Sequence, residues 1–477
     1  MQVDILVRNK TLKKILATIL LASLTTMTFT PAMAEDNIKQ INNNTPKQFK
    51  SMVKKDKKIS DDYKYAYVNM DFWENFNDDI LNEYITKAIT NNYDLKMATL
   101  AVEEYYYNTR LQFSNELPKV TAGYAPNYVK MPGSSDADWM FATPAIAQYE
   151  IDIFLKNRDK TKSAKKLYEA SKFDERAAYI SVAAAVGTAY LNIVRLDKLI
   201  DLQKEIVDLR QEIYDLMLAR NREGITSTAD TVKANKSLVQ GQIDLVELEK
   251  QREFLLHQLA VLIGESPANI NELQRTPYEQ IKYTGVIPAE ISSDIIVQRP
   301  DYLKAEKMVE KAGIDVRVAK KEFLPSFNLT GLALFNAANI GSSWSTKSML
   351  ASIGAAGLLP IFTGGSLISN LRLKKTQYER ILQNYYKTNL TAIQEVNDAL
   401  VSVKKDTEKM EQTKKQAELE KTDYMFNRDK YNQGTISKLD LIQFKENLLS
   451  IDKLVAQQQI ECMVDYISLY KAAGSKL

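Results

Sequence analysis

The feature that most constrains this chain is an internal repeat with a period of about 207–210 residues. Motifs of the first half return in the second half in the same order and with nearly the same spacing. Duplication of one structural unit explains so many ordered matches better than chance does. The matches are Asn92-Tyr93-Asp94-Leu95 with Arg299-Pro300-Asp301-Tyr302, Arg110 to Pro118 with Arg317 to Pro325, Ile153-Phe154 with Ile361-Phe362, and Gly224, Ser227 and Asp230 with Gly434, Ser437 and Asp440.

Each half predicts the same order of elements: a helix, a β-hairpin and a long helical hairpin. The first helix runs from Ile80 to Phe113 in one half and from Asp301 to Phe323 in the other. A proline follows each helix and ends it, because proline disfavours helix at the preceding residue. The expected boundaries are a first repeat at 71–290, with its β-hairpin at 119–154 and its helical hairpin at 156–264, and a second repeat at 291–477, with its β-hairpin at 326–362 and its helical hairpin at 366–473.

The β-hairpin segments alternate between apolar and polar residues, which is typical of strands with two different faces. In the first hairpin, Gln148, Glu150 and Asp152 share the polar face of the second strand. We expect Glu150 and Asp152 to line the lumen of a barrel; the alternative is that they are simply solvated on a sheet outside the membrane.

The long helical segments carry apolar residues spaced alternately three and four apart, the pattern of coiled-coil packing. From Lys156 to the turn before Gly224, continuous helix would reach roughly 100 Å. A rod of that length has no core of its own and must pack against neighbours along its side. The seam residues are Leu199, Leu202, Ile206, Leu209, Ile213 and Leu216 in the first half, and Leu441, Phe444, Leu448, Ile451 and Val455 in the second, with Cys462 as a buried packing residue.

The turns that reverse the long helices share one pattern. Glycine permits the left-handed backbone of a tight turn, and a serine three residues before an acid predicts a capped helix start. Both turns are expected at the same end of the helical rods. The turn residues are Gly224, Ser227 and Asp230, and Gly434, Ser437 and Asp440.

The N-terminus predicts export. A basic region with four Lys and Arg residues precedes a short apolar stretch from Ile15 to Leu24, and Ala32-Met33-Ala34 supplies a small-x-small cleavage pattern. We therefore expect a signal peptide over residues 1–34, followed by an N-terminal arm over residues 35–70 in which the charge-rich stretch from Lys47 to Lys64 is solvated. The chain has no stretch of eighteen apolar residues, so no transmembrane helix is expected.

The strand edges then constrain the assembly. An exported protein with alternating apolar strands of about ten residues suggests a membrane barrel. Four strands per chain leave two edges with unpaired backbone groups, and lipid does not tolerate such edges. Membrane barrels start at about eight strands, so chains must pool theirs. Two chains would give eight strands, whose interior side chains fill, and three would give twelve. A working pore favours the trimer, although the sequence leaves the number open. The predicted fold class is a mixed α/β membrane protein that combines a twelve-stranded trimeric β-barrel with an α-helical coiled-coil barrel.

Composition excludes several kinds of function. One histidine, His257, and one cysteine, Cys462, rule out the common His/Cys zinc sites and the Ser-His-Asp or Cys-His catalytic sets. Removal of residues 1–34 would leave 59 basic and 59 acidic residues. This balance lacks the excess of basic residues that nucleic-acid binding needs. We expect no enzyme activity, no cofactor, no metal site and no nucleic-acid partner.

Several ordered motifs in the chain resemble the TolC-type outer-membrane factor family, and together they cover most of the chain beyond the predicted signal peptide. The motifs are Phe72-Trp73-Glu74-Asn75-Phe76 with Asn91-Asn92-Tyr93-Asp94-Leu95, Gln298-Arg299-Pro300-Asp301 with Phe323-Leu324-Pro325-Ser326, Pro360-Ile361-Phe362-Thr363-Gly364-Gly365, and Tyr431-Asn432-Gln433-Gly434-Thr435 with the tail Leu469-Tyr470-Lys471-Ala472-Ala473-Gly474.

The resemblance implies a homotrimer in outer-membrane lipid, with a helical tunnel across the periplasm. It also implies docking to a periplasmic adaptor protein and to an inner-membrane pump of the RND or ABC class. The adaptor would meet the helical tip at Gly224, Ser227, Gly434 and Ser437. The implied function is a passive exit channel for efflux or type I secretion, with the cargo left open. Two alternatives are an exported coiled-coil structural or adhesive protein, and a periplasmic adaptor.

The resemblance further implies a gate. Asp230 and Asp440 fall at the constricted inner end of the family's tunnel, where three copies of each would form a carboxylate ring that attracts cations. Tyr431 matches a family position that bonds the equivalent of Asp230 and holds this end shut. Gln443 replaces a family acid one turn after Asp440, and Ile436 stands where some members carry an arginine, so the closed state is expected to be held less tightly or by different bonds.

Overall fold

The computed structural model describes residues 62–130, 136–288, 291–337 and 349–476. The predicted signal peptide, residues 1–34, and residues 35–61 of the predicted arm lie outside this part of the chain. The described residues combine a mostly helical body with one antiparallel sheet.

The helix predicted over Ile80 to Phe113 is two helices. The described chain begins with α1 (Asp62–Val68), α2 (Met70–Glu74), α3 (Asp79–Asn91) and α4 (Tyr93–Phe113). Asn92 separates the last two because its backbone is extended, with ψ 131°. Its side-chain oxygen accepts a hydrogen bond from the Leu95 N–H at 3.0 Å and so caps α4, as asparagine commonly does at a helix start.

The sheet contains β1 (Lys119–Ala122), β2 (Ala125–Val129), β3 (Asp138–Ile151), β4 (Ser326–Ala337) and β5 (Met349–Leu358). The first predicted strand is interrupted, so β1 and β2 both pair with β3 along its length. The order is then β3-β4-β5, with antiparallel pairing throughout. The outer edge formed by β1 and β2 and the outer edge of β5 have no partner strand within the described residues.

The strand register sorts the side chains by face. Val120, Ala147, Gly331 and Ile353 lie side by side across the sheet, and the next row on the same face is Tyr149, Leu329 and Ala355. The opposite face carries the row Lys119, Gln148, Thr330 and Gly354. Because alternate residues of a strand point to opposite faces, one side of the sheet is apolar and the other is mixed polar.

The remaining helices fall into two sets with matching lengths. In chain order they are α5 (Lys156–Arg222), α6 (Thr228–Leu262), α7 (Ser293–Ile296), α8 (Pro300–Lys321), α9 (Ser366–Asn432) and α10 (Lys438–Ala472), with short 3-10 segments at Ser114–Glu116, Pro267–Glu272 and Tyr278–Gln280. The helices α5 and α9 both have 67 residues, and α6 and α10 both have 35.

The core surrounds the middle of α5. Trp73 of α2 is fully buried and packs over Gly187 of α5, while Phe72 stacks on Tyr470 of α10 with ring centroids 4.4 Å apart. One 18-residue stretch of α5 is long and apolar enough to cross a membrane, but 61% of that stretch is buried inside the chain. Packing in the core therefore accounts for its apolar character.

The coiled-coil seam predicted on α5 is buried near this core, as expected, and becomes more exposed towards the turn at Gly224. Leu199, Leu202 and Ile206 are buried, with Leu202 and Ile206 in one cluster with Leu449 of α10. Beyond Leu209 the seam residues of α5 are only half-buried within one chain. Cys462 is a buried free thiol, which confirms the predicted packing role.

Candidate functional site

The first turn between long helices is built on Gly224, which has φ +71°. The Gly224 N–H donates to the Asn221 carbonyl oxygen at 3.0 Å and the Ile225 N–H to that of Arg220 at 2.8 Å. These bonds satisfy carbonyl groups at the end of α5 that have no partner inside the helix. The left-handed glycine therefore ends α5 and starts the reversal.

The second turn repeats this geometry. Gly434 has φ +72°, its N–H donates to the Tyr431 carbonyl oxygen at 2.9 Å, and the Thr435 N–H donates to that of Lys430 at 3.0 Å. Both predicted turn glycines therefore occupy the backbone conformation that glycine favours.

Each turn is followed by a capping box. The Ser227 hydroxyl donates to Asp230 Oδ2 at 2.7 Å and accepts from the Asp230 N–H at 3.2 Å. Ser437 and Asp440 make the same pair of bonds at 2.6 and 3.2 Å. The hydrogen bonds from serine lower the pKa of both exposed carboxyl groups, so both acids are charged at neutral pH.

The two turns lie at the same end of the helices, as predicted. Arg210 of α5 donates to Glu446 of α10 at 2.8 Å, and Lys453 of α10 donates to Gln203 of α5 at 2.7 Å. Lys438, the first residue of α10, pairs with Glu212 of α5. These pairs fix α5 and α10 antiparallel, so the end of α5 lies beside the start of α10 and places both turns there.

Asp230 and Tyr431, the pair implied for the gate, do not meet within one chain. Among the described residues, the Asp230 carboxylate bonds to Ser227 and no hydrogen bond joins it to the Tyr431 hydroxyl. Tyr431 is half-buried in the last turn of α9. Any Tyr431–Asp230 bond therefore needs another conformation or another copy of the chain, and the gate assignment stays a prediction.

Glu150 and Asp152, the two acids predicted to line the lumen, have different surroundings at the end of the sheet. Glu150 lies in β3 opposite Asn328 of β4 and pairs with Lys156 at 2.7 Å. Asp152 lies one residue beyond β3, and its carboxylate accepts hydrogen bonds from the Lys156 N–H at 2.6 Å and the Arg158 N–H at 2.8 Å. The prediction of Asp152 as a strand acid is therefore wrong, because a carboxylate at this position satisfies the unpaired amides at the start of α5.

Apolar side chains remain exposed along several helices of one chain. They recur at spacings of three, four, seven, eight and eighteen residues, all of which return to the same side of a helix, so each set forms a stripe on one helix face. Such stripes need a partner surface. They are Tyr93, Met97, Leu100, Tyr107 and Leu111 on α4, Val232, Val239 and Val246 on α6, and Leu390, Ile393, Val401, Leu419 and Phe426 on α9.

Sequence reasoning missed the structural role of Arg299. This residue, which precedes α8, is 6% exposed and its guanidinium group bonds to Asp301, Glu395 and the carbonyl oxygen of Ala472. The motif match with Asn92 was the available signal, because Asn92 bonds the carbonyl oxygen of Leu262 in the same way at 2.8 Å.

The family model for outer membrane efflux proteins matches the chain twice, over residues 84–265 and 291–475. The chain belongs to the outer membrane efflux protein family. The predicted TolC-type resemblance is thereby confirmed. Members of this family are transport conduits of the outer membrane, with a helical part in the periplasm, and not enzymes.

Individual relatives of the chain are also named as efflux proteins. The chain is 27% identical over 407 residues to the probable efflux pump outer membrane protein TtgC of Pseudomonas putida, with 84% of each chain covered. It is 23% identical over 409 residues to the cation efflux system protein CusC of Escherichia coli O157:H7, covering 86% of this chain and 88% of that one.

Solved structures share the fold. The Campylobacter jejuni CmeC outer membrane channel has a TM-score of 0.78 at 25% identity, covering 86% of this chain and 88% of that chain. The Vibrio cholerae outer membrane protein VceC has a TM-score of 0.74 at 19% identity and covers 84% and 98%. The helical body with an antiparallel sheet is thus the architecture of outer-membrane channels.

Proposed function

We propose that this chain forms, as a homotrimer, the outer-membrane exit channel of a three-part efflux pump. One observation carries the proposal: the sheet has an apolar face, a mixed polar face and two outer edges without a partner strand. A sheet in lipid must close, because unpaired backbone groups there cost several kcal/mol each. Closure by three copies would put the apolar face towards lipid and Glu150 towards the lumen.

The exposed stripes on α4, α6 and α9 support the same assembly. In a closed ring, each chain would cover the stripes of its neighbour and complete the half-buried seam of α5. The result would be a helical barrel that continues the β-barrel into the periplasm. At about 1.5 Å per residue, the 67-residue helices give it a length of roughly 100 Å.

The twofold organisation of each chain belongs to this proposal. We infer two repeats, 71–290 and 291–477, preceded by a signal peptide that directs export. The equal lengths of α5 and α9 and of α6 and α10, and the double match of the family model, support the repeat. Two hairpins per chain would supply the twelve strands of a trimer.

The helical tip is the proposed docking surface for a periplasmic adaptor, with Gly224, Ser227, Gly434 and Ser437 at its turns. Asp230 and Asp440 would form the constriction, with Tyr431 beside it, and an RND or ABC pump in the inner membrane would supply the energy. Relatives named for efflux of toluene, antibiotics and cations favour efflux over protein secretion.

Planar-bilayer conductance and the mass of the detergent complex test the proposal together. The purified protein is expected to give discrete conductance steps and a protein mass of three chains. A folded protein that stays soluble and monomeric without detergent would contradict the channel and would favour a coiled-coil structural protein.

A further inference from the structure

The helical ends that adjoin the sheet carry a strong excess of positive charge. Three segments meet there: residues 156–166 at the start of α5, residues 311–322 at the end of α8, and residues 366–376 at the start of α9. Together they contain 13 Lys and Arg residues and 3 Asp and Glu residues. Their net charge of +10 compares with +3 for the whole chain, so the excess is local. These three segments are called the basic belt.

Contacts between the segments show that the basic belt lies at one level. Lys321 of α8 donates to Asp159 of α5 at 2.7 Å and to the Leu155 carbonyl oxygen at 3.1 Å. Asn370 of α9 donates to Glu322, just after α8, at 2.7 Å. The belt is therefore one continuous surface directly below the sheet.

The acids of the belt are already used by neighbouring groups. Asp159 is buried against Lys321, Asp315 pairs with Lys311 at 2.7 Å, and Glu322 accepts from Asn370. In contrast, the side chains of Arg158, Lys320, Arg372 and Lys375 are exposed, and no ion pair engages them within the described residues. Their charge is available to a partner outside the chain.

Large apolar side chains lie between this positive charge and the sheet. Ile361 is 91% exposed and Phe362 is 90% exposed, and both lie between the end of β5 and the start of α9. Ile153 and Phe154 hold the matching positions after β3, and both they and the adjacent Leu155 are also exposed. These five residues are called the apolar rim. Positive charge one to two helical turns from an apolar rim matches the order of headgroup and acyl chain in a lipid leaflet.

We propose that the basic belt binds the phosphate headgroups of anionic phospholipids in the periplasmic leaflet, with the apolar rim in the acyl region above them. The inference rests on the outer-membrane placement of the family and is independent of the gate. A second copy of the chain is a poor occupant of the belt, because a symmetric neighbour presents the same positive charge at the same level.

Native mass spectrometry of the detergent-solubilised full chain, exchanged into an equimolar mixture of phosphatidylglycerol and phosphatidylethanolamine, tests the belt. The test variant combines Arg158→Gln, Lys320→Gln and Arg372→Gln, one exposed cation from each helix. Its matched control combines Lys404→Gln, Lys414→Gln and Lys415→Gln, which are exposed on α9 away from the belt. Helical circular dichroism checks that both remain folded.

The wild type and the control are expected to retain phosphatidylglycerol in excess. The belt variant is expected to lose that preference by about fivefold for each headgroup that one of these cations contacts. Equal phosphatidylglycerol retention in the belt and control variants would overturn the proposal. Conductance is recorded in parallel, so a failed lipid test with intact steps would leave the channel standing.

A second measurement addresses the rim. Phe362→Cys in a Cys462→Ala background is labelled with an environment-sensitive dye, and the protein is placed in bilayers with brominated acyl chains. Quenching by the brominated lipid is the expected result. Absent quenching together with cross-linking of position 362 to a second copy would show that a neighbouring chain covers the rim, and would reject its lipid role.

Discussion

The Arg299 guanidinium donates to the carbonyl oxygen of Ala472 at 2.7 Å and so joins the start of α8 to the end of α10. Asn92 makes the equivalent bond to Leu262 in the first half, joining α4 to α6. Glycines with positive φ follow both helix ends, and a Cβ on Gly264 would meet the Asn91 carbonyl oxygen at 2.7 Å. A short helix in each half is therefore fastened to the far end of its helical hairpin.

Removal of the Arg299 side chain should destabilise the protein strongly. Breaking a buried ion pair costs about 3–5 kcal/mol, and because Asp301 and Glu395 are half-exposed we expect about 2–3 kcal/mol for Arg299→Ala. Arg299→Lys keeps the charge but lacks the planar guanidinium group, so its stability should lie between those of the wild type and Arg299→Ala. Thermal unfolding in detergent measures both, with Asn92→Ala, expected to cost about 1 kcal/mol, for comparison. An Arg299→Ala variant as stable as wild type would contradict the fastening role.

Gly187→Ala should destabilise the core although alanine favours helix. Its Cβ would lie 2.4 Å from Trp73 Cζ3 and 3.0 Å from Ile467 Cδ1, and Trp73 is fully buried. Overpacking of this kind costs about 1–3 kcal/mol, which exceeds the helix gain of about 0.5–1 kcal/mol. Gly313→Ala is the control, because its Cβ meets only Tyr378 at 3.7 Å. The melting temperature should fall for Gly187→Ala and stay level or rise for Gly313→Ala.

Asp440→Ala combined with Tyr431→Phe should raise single-channel conductance and weaken cation selectivity in planar bilayers. Together the two substitutions remove a carboxylate ring and a hydroxyl group from the proposed constriction. Asp440→Asn separates charge from capping, because the amide oxygen can still accept the Ser437 hydrogen bonds. If conductance and selectivity both stay at wild-type values, the gate lies elsewhere.

Stability should fall as pH rises towards neutrality because of Asp465 in α10. Burial and the nearby Asp406 carboxyl raise the pKa of Asp465 to about 7, against an unfolded value of 3.8. Between these values the folded protein holds a proton that the unfolded chain lacks, so folding is favoured at low pH and loses that contribution as pH increases. Glu461 adds to the repulsion and Lys409 opposes it.

Asp465→Asn should therefore stabilise the protein at pH 8 and change little at pH 5. Melting temperatures across pH 5–8 measure the difference, with Asp429→Asn on the exposed surface of α9 as the control. A constant difference between Asp465→Asn and wild type over this range would show that Asp465 keeps an ordinary pKa.

Local sequence patterns predicted the parts of the fold that local forces determine. Gly224 with Ser227 and Asp230 identifies a turn and a cap because the interacting atoms lie within a few residues, and alternation identified the faces of β3. The contact of Arg299 with Ala472 spans 173 positions, so only the repeat pointed to it. The break at Asn92 was missed because the apolar pattern continues across it. The strand end before Asp152 was missed by one residue, since alternation does not show where pairing stops.

The backbone at the sheet exits has a mechanical consequence. Leu155 and Gly365 occupy matching positions before α5 and α9, and both are left-handed, with φ of 59° and 82°. Each long helix is therefore joined to the sheet by one sharp bend, and a rigid tilt about that bend would be amplified along a rod about 100 Å long. A tilt of about 3° at the bend would move the far tip by roughly 5 Å, so a displacement of pore dimensions needs almost no rearrangement where the chain enters the lipid.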